Sequence, residues 1–176
     1  MSGGDAAMMA SQISAGLLPY RWHAGTLQVF LVHPGGPYWQ RKDDGAWQIA
    51  KGTPLPGEAL HNAALREFEE EVGPRPAGKP WPLARLRQAG GKWVEAYAIE
   101  GDLDPADLVS NAFEVEWPPR SGIIGSFPEI DRAAWFPLAE AHTRILASQT
   151  PFLTALEQAV SQREEVGSSC IGEGTK

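Results

Sequence analysis

The sequence is poor in the features that mark several large classes of protein. Only one of its 176 residues is a cysteine, Cys170, which excludes an intrachain disulfide and a cysteine-rich metal site. It has no apolar run of about 18 residues, the length that a membrane-spanning helix needs, and its N-terminus lacks the basic and apolar regions of a signal peptide. We therefore expect a cytoplasmic protein with no membrane partner.

Positive charge is also scarce. The chain carries 15 lysines and arginines against 22 acidic residues, which gives a net charge of -7. A surface that binds duplex nucleic acid is normally basic, so the composition argues against that partner. Phosphate ligands are not excluded, because a bound metal ion makes a site locally positive. The length and the 43% hydrophobic content are typical of one globular domain.

The stretch from Gly52 to Pro74, GTPLPGEALHNAALREFEEEVGP, is the most informative part of the chain. Its apolar residues recur every three to four positions, which predicts a helix from about Glu58 to Val72. Glu67, Glu70 and Glu71 would then share about one turn beside the apolar face. The predicted apolar stripe consists of Leu60, Ala64, Phe68 and Val72, with His61 and Leu65 alongside.

These crowded carboxylates favour a bound cation. Like charges four residues apart destabilise a helix by a few tenths of a kcal/mol, and they raise one another's pKa. Mg²⁺ prefers oxygen ligands and typically combines carboxylates with the phosphate oxygens of a substrate. Glu69 is expected to point away from the other glutamates, and Glu58 to lie in the first helical turn, where the helix dipole favours negative charge. The alternative is a solvated acidic helix face that binds no metal.

The same stretch resembles the Nudix box, G-x5-E-x7-R-E-U-x-E-E-x-G-U, in which U is an aliphatic residue. Every charged and glycine position of that pattern is filled. The filled positions are Gly52, Glu58, Arg66, Glu67, Glu70, Glu71 and Gly73. Phe68 and Pro74 take the two aliphatic positions, and neither change affects a carboxylate. The resemblance implies an α/β protein with the Nudix fold, a mixed β-sheet sandwiched between α-helices.

The resemblance also implies roles for the residues of the box. Glu70 and Glu71 are expected to bind Mg²⁺ or Mn²⁺, and Glu67 is expected to be a further ligand or the general base. Arg66 would hold a catalytic glutamate in place, and Glu58 would support the site electrostatically. In the family the backbone carbonyl of the first glycine, here Gly52, often joins the metal ligands.

Two basic residues outside the box are candidates for binding phosphate. Lys51 could bind phosphate, and Arg120 could clamp it, because a guanidinium group binds phosphate oxygens in bidentate fashion. An ordinary surface position is the alternative for both.

A further metal-binding carboxylate usually comes from outside the box in this family. The candidates here are Glu114, Glu116 and Glu129. We favour Glu116, because it lies at the end of an alternating strand, just before the Pro118-Pro119 break that opens into the loop with Arg120.

The rest of the chain predicts strands and helices around the acidic helix. Two hairpins are predicted, one from strands 14–22 and 27–33 and the other from strands 83–88 and 92–99. Three further strands are predicted at 47–50, 113–117 and 130–136. The predicted later helices are 138–147 and 151–162. We expect one domain over residues 13–160, with flexible termini at 1–12 and 163–176.

The implied function is metal-dependent hydrolysis of a phosphoanhydride bond in a nucleoside diphosphate linked to another moiety. Dinucleoside polyphosphates, ADP-ribose-like compounds and nucleoside triphosphates are the candidate substrates, and the sequence does not predict an oligomeric state. Three alternatives are a nucleotide-binding sensor without hydrolysis, an RNA 5′-end pyrophosphohydrolase and an acidic interaction scaffold.

Overall fold

A mixed β-sheet with helices on both faces forms the protein in the computed structural model, which describes residues 13–169. The strands are β1 (Ile13–His23), β2 (Thr26–Pro34), β3 (Ala50–Gly52), β4 (Trp81–Arg87), β5 (Trp93–Glu100), β6 (Ala112–Glu116), β7 (Ile124–Pro128) and β8 (Ile130–Pro137). The helices are α1 (Leu60–Glu71), α2 (Leu138–Arg144) and α3 (Thr150–Ser169), with short 3-10 turns at Pro105–Asp107 and Ala147–Gln149. The predicted α/β architecture is confirmed.

The first two strands form the predicted hairpin. Ala24 and Gly25 connect them with positive φ angles of 49° and 77°. A two-residue turn with both φ angles positive matches the right-handed twist of the strands that it joins. The second predicted hairpin, β4 and β5, is also present.

Strand β1 lies at the centre of the sheet and has different neighbours along its length. It runs parallel to β5 on one side. On the other side it pairs with β2 over Tyr20–His23 and with β3 over Ala15–Leu17. β2 pairs with β8 along its other edge over Gln28–Pro34, and it pairs with β1 only over Thr26–Val29. Beyond Val29 the two strands diverge, and β3 pairs with β1 in the space between them. This divergence brings Gly52, at the end of β3, into the middle of the sheet.

Two hydrophobic cores cover the two faces of the sheet. Helix α1 packs on one face through Ala63, Ala64 and Phe68, which are all fully buried. The other face is covered by α2 and α3. The predicted stripe omitted Ala63, and it included Leu60, which is only half-buried.

The acidic helix begins two residues later than predicted. α1 starts at Leu60, and Ala59 is its N-cap. Glu58 therefore precedes the helix, contrary to the prediction that it lies in the first turn. Its backbone N–H donates to the carbonyl of Leu55 at 3.0 Å, because Pro56 and Gly57 form a tight turn there.

Several other elements also differ from the prediction, and helix α2, for example, ends at Arg144 rather than at residue 147. The strand predicted at 47–50 is the short β3, since Trp47 and Gln48 form only isolated bridges. Strand β7 was not predicted, and it pairs with β6 in a separate two-stranded sheet. Helix α3 continues to Ser169, so residues 163–169 are helical rather than part of a flexible tail. The predicted termini at 1–12 and 170–176 lie outside the described residues.

No helix within residues 13–169 is both long enough and apolar enough to cross a membrane.

Candidate active site

The glutamates of α1 meet strand β3 at Gly52. The Glu67 side chain is only 15% exposed and lies against the backbone of this glycine. A Cβ atom added to Gly52 would come within 1.9 Å of Glu67 Oε2. One turn later, Glu71 Oε2 accepts a hydrogen bond of 3.3 Å from the backbone N–H of Lys51. Glycine is therefore needed at position 52 so that the Glu67 carboxylate can reach the strand.

Arg66 connects the carboxylates of the box. Its Nε donates to Glu58 Oε1 at 2.9 Å, and its Nη1 donates to Glu67 Oε1 at 2.8 Å. Nη1 also reaches Glu70 at 3.1 Å, and Nη2 donates to the carbonyl of Thr53 at 3.1 Å. One guanidinium group thus bridges the segment before the helix and two glutamates on it.

Glu58 is held in its ionised form by this network. The hydrogen bond from Arg66, followed by one from the backbone N–H of Leu55, lowers the pKa of Glu58 below its usual value. The hydrogen bond to Glu58 in turn raises the pKa of Arg66. The pair is therefore fully charged at neutral pH.

Glu69 points away from the other glutamates of the helix, as the helical spacing predicts. It pairs with Arg75 at 2.9 Å, and its side chain is 53% exposed. Glu70 is equally exposed, at 52%, but it pairs with Arg66. These neighbouring glutamates thus have similar exposure and different partners.

The pKa of Glu71 is raised far above the usual value of a glutamate. Burial raises its pKa, Lys51 opposes the shift, and the charges of Glu67 and Glu129 add to it, so that the pKa reaches about 7. The repulsion that Glu71 experiences from Glu67 and Glu129 is what a cation would relieve.

The carboxylates of the box meet some of the requirements of a divalent metal site. Within residues 13–169 no three acidic or histidine side chains converge in metal-binding geometry. Glu67 and Glu70 are directed towards Arg66 instead. The donor chemistry nevertheless fits a hard cation, because the carboxylate oxygens of Glu67 and Glu71 are next to the backbone of β3 and repel each other.

The raised pKa of Glu71 predicts that the metal-free protein loses stability as the pH rises from about 4.5 to about 7. In this range the folded protein binds more protons than the unfolded chain, so its stability falls until Glu71 is ionised. Glu71→Gln should remove this loss and stabilise the metal-free protein at pH 8 by at most about 3 kcal/mol. Urea unfolding at several pH values measures the effect. A variant that is less stable than the wild type at pH 8 would contradict the raised pKa.

Arg120 and the candidate carboxylates from outside the box lie in or near the β6–β7 hairpin. Glu116 Oε1 accepts a hydrogen bond of 3.4 Å from the backbone N–H of Gly122, within the hairpin itself. Arg120 is exposed in the same turn, and it forms no ion pair with any residue in the described range. Glu129, between β7 and β8, is the candidate whose charge acts on Glu71, whereas the favoured Glu116 is not among the leading influences on it. Glu114 is exposed on β6.

A cavity of about 300 Å³ lies beside Gly52, on the face of the sheet opposite α1. Its polar lining residues are Ser14, Gln48, Lys51, Gln88, Lys92 and Gln149. Lys51 turns its side chain into this cavity, where its Nζ donates to Gln48 Oε1 at 3.2 Å and burial lowers its pKa. No local sequence pattern points to Gln149, because it lies 100 residues after Ile49, to which it is hydrogen-bonded. A larger, shallower depression of about 790 Å³ at Arg21 and Trp135 contains no box residue.

Known proteins share this fold. The sequence matches the NUDIX domain family over residues 12–156. The structure is similar to that of a C. elegans Ap4A hydrolase in a binary complex, with 20% identity, a TM-score of 0.59 and coverage of 85% of this chain and 98% of that one. It is also similar to the NUDIX domain of Shewanella oneidensis NrtR complexed with ADP ribose, with 18% identity, a TM-score of 0.58 and coverage of 92% and 99%.

A third similar structure is a mutT/nudix family protein from Listeria innocua, with 16% identity, a TM-score of 0.56 and coverage of 88% of this chain and 97% of that one. No curated protein sequence matches the chain. At these identities the solved structures show a shared fold, while the sequence match covers most of the chain and includes the whole box. The chain therefore belongs to the Nudix family.

Proposed function

We propose that this protein is a Mg²⁺- or Mn²⁺-dependent hydrolase that cleaves a phosphoanhydride bond in a nucleoside diphosphate linked to another moiety. The enzyme class, a Nudix-type pyrophosphohydrolase, follows from membership of the family. The metal ion and the substrate are the proposed part. The observation that carries the proposal is the position of Glu67 and Glu71, which meet at the end of β3 and repel each other.

The box residues would have different roles at this site. Glu67, Glu70 and Glu71, with the backbone carbonyl of Gly52, would hold the metal. A bound divalent ion would neutralise the charge that develops on the leaving phosphate, and it would lower the pKa of a bound water molecule. Glu67 would act as a ligand or as the general base. Arg66 would keep Glu67 in position through the hydrogen bond of 2.8 Å, with Glu58 as its second anchor.

We further propose Glu129, in place of Glu116, as the carboxylate from outside the box. Support comes from the effect of its charge on Glu71. Its backbone is held on both sides, since its carbonyl accepts a hydrogen bond of 2.9 Å from the N–H of Gly35 and its N–H donates at 2.8 Å to the carbonyl of Asn111. Glu116 is held by the turn of its own hairpin instead.

The substrate class is a small nucleotide. The similar structures include an Ap4A hydrolase and a domain complexed with ADP ribose, so a dinucleoside polyphosphate and an ADP-ribose-like compound are both consistent with the fold. Lys51 supplies a cation beside the box, suited to phosphate or to another acceptor group. Arg120 stays a predicted phosphate clamp.

The direct test is a panel of substrates with and without divalent metal. Millimolar Mg²⁺ or Mn²⁺ should raise the melting temperature, because a ligand present at about 100 times its dissociation constant stabilises the folded state by about 2.7 kcal/mol. At least one of Ap4A, ADP-ribose, the nucleoside triphosphates and a 5′-triphosphorylated RNA should be hydrolysed, as measured by phosphate or mononucleotide release.

Two results would contradict the proposal in different ways. Nucleotide binding without hydrolysis of any compound would favour the sensor alternative. A melting temperature that does not respond to either metal, with or without nucleotide, would remove the metal site. An excess of EDTA is the control, since it should reverse both the stabilisation and the hydrolysis.

A further inference from the structure

The side chain of Gln149 completes a backbone ladder that the chain itself interrupts. Just before β3, Trp47 donates to the carbonyl of Arg144 at 3.0 Å and accepts from the N–H of Leu146 at 2.8 Å, which is a parallel bridge. In a regular parallel ladder the next bond would join the N–H of Ile49 to the carbonyl of Leu146. That carbonyl accepts from the N–H of Gln149 instead, at 2.8 Å, because a 3-10 turn begins there. Gln149 Oε1 takes its place and accepts from the N–H of Ile49 at 3.0 Å.

This arrangement uses only one end of the Gln149 amide. The residue is fully buried, and within the described residues its Nε2 has no hydrogen-bond partner. A buried amide donor without a partner lowers the stability of the folded state, so such groups are few in native proteins. An apolar side chain of the same length would fill the space without that loss. The bond to Ile49 is therefore the one feature of this position that requires a glutamine.

Ile49 immediately precedes β3, whose backbone serves two glutamates of the box. The N–H of Lys51 donates to Glu71 Oε2 at 3.3 Å. The backbone of Gly52 lies against the Glu67 carboxylate. β3 has only three residues, and within the described range β1 is the only strand that pairs with it. A strand this short depends on the anchors at its ends for its position.

We propose that Gln149 is a positioning residue, which acts through Ile49 to keep the backbone of β3 in place against the box carboxylates. The bridge between Gln48 and Val32 holds the other edge of the same segment. Loss of the Gln149 bond would therefore shift β3 without unfolding it. The inference rests on the proposed function, because that function assigns the reaction to the carboxylates that β3 supports.

The test removes the acceptor and then restores it. Gln149→Met keeps the length of the side chain but leaves the Ile49 N–H without an acceptor. Turnover should fall by about 10-fold while KM changes by less than about 3-fold, because a displaced carboxylate impairs the reaction more than binding. Gln149→Glu keeps an acceptor oxygen for this N–H in either protonation state, so its turnover should stay within about 3-fold of the wild type.

Val160→Ala is the control for a general loss of stability. Val160 is buried in the core that α2 and α3 form with the sheet, on the same face as Ile49. The substitution leaves a cavity, so it should lower the melting temperature at least as much as Gln149→Met does, with turnover unchanged. An equal loss of turnover in Val160→Ala would assign the effect of Gln149→Met to stability and overturn the inference.

Amide hydrogen exchange in the metal-free protein provides a measurement that does not depend on hydrolysis. We compare the exchange rate of residues 50–52 with that of β5 by NMR. The ratio of these rates should rise at least about 10-fold in Gln149→Met, because the anchor of β3 is lost while β5 keeps its bonds. Gln149→Glu and Val160→Ala should keep the ratio of the wild type.

The outcomes separate this inference from the proposed function. Unchanged turnover or an unchanged exchange ratio in Gln149→Met overturns the inference, and so does a folded Gln149→Glu variant with a 10-fold loss of turnover. If Gln149→Met does not fold, exchange of the Ile49 amide in the wild type as fast as in an exposed loop overturns it. If the wild type hydrolyses no nucleotide, the proposed function fails, and the exchange ratio still decides whether Gln149 positions β3.

Discussion

Glu67→Gln and Glu70→Gln are each expected to lower turnover by about 100-fold or more, whereas Glu69→Gln should change it by no more than a few fold. Glu67 adjoins Gly52, and Arg66 holds both Glu67 and Glu70. Glu69 is turned towards Arg75. Removing the charge of a ligand or base affects the reaction itself, while removing the charge of Glu69 affects only a partly exposed ion pair.

The comparison of Glu69 with Glu70 is a controlled one. Their side chains are 53% and 52% exposed, so a difference in solvent exposure cannot explain a difference in turnover. Steady-state kinetics with a saturating metal concentration provides the measurement, and the melting temperatures check that each variant folds. Equal losses in the two variants would show that Glu70 has no special role.

The same series of variants identifies the carboxylate from outside the box. Glu129→Gln should lower turnover with little effect on substrate affinity, because the charge of Glu129 reaches Glu71. Glu116→Gln should have a much smaller effect, since Glu116 is bonded within its own hairpin. The opposite order would restore the choice that the sequence favoured.

Gly52→Ala should abolish most of the activity and leave the fold nearly unchanged. The added Cβ would lie 1.9 Å from Glu67 Oε2 and 2.0 Å from its Cδ, so the carboxylate must move. These atoms are at the end of a flexible side chain, and the shift therefore has little effect on stability. A displacement of about 1 Å in a catalytic group can lower the rate by about 100-fold.

Gly90→Ala is the matched control for this substitution. A Cβ at Gly90 would meet no atom within 4 Å, so both activity and melting temperature should stay at wild-type values. The melting temperature of Gly52→Ala should remain within a few degrees of the wild type. If Gly52→Ala keeps full turnover, the position of the Glu67 carboxylate against β3 is unimportant for the reaction.

Local sequence determined the elements that depend on short-range periodicity. The spacing of glutamates in the box predicted which of them share a face of α1, and the separation of Glu69 from Glu70 is confirmed by their different partners. The hairpin of β1 and β2 follows from alternation and from a turn that tolerates positive φ angles. Such features are decided within one element, so neighbouring residues are sufficient to predict them.

Tertiary structure decided which distant residues meet the box. Alternation along β6 predicted Glu116 as the further carboxylate, and that choice stays a prediction; the influence of the Glu129 charge on Glu71 depends on the path from β7 into β8, which the local pattern does not show. Likewise, Lys51 points into the cavity and Gly52 towards Glu67, because adjacent residues of β3 face opposite sides of the sheet. Gln149 reaches Ile49 across 100 residues only because α2 and the turn after it pack on that face. Contacts of this kind depend on how strands diverge and pair over long distances, which local periodicity does not encode.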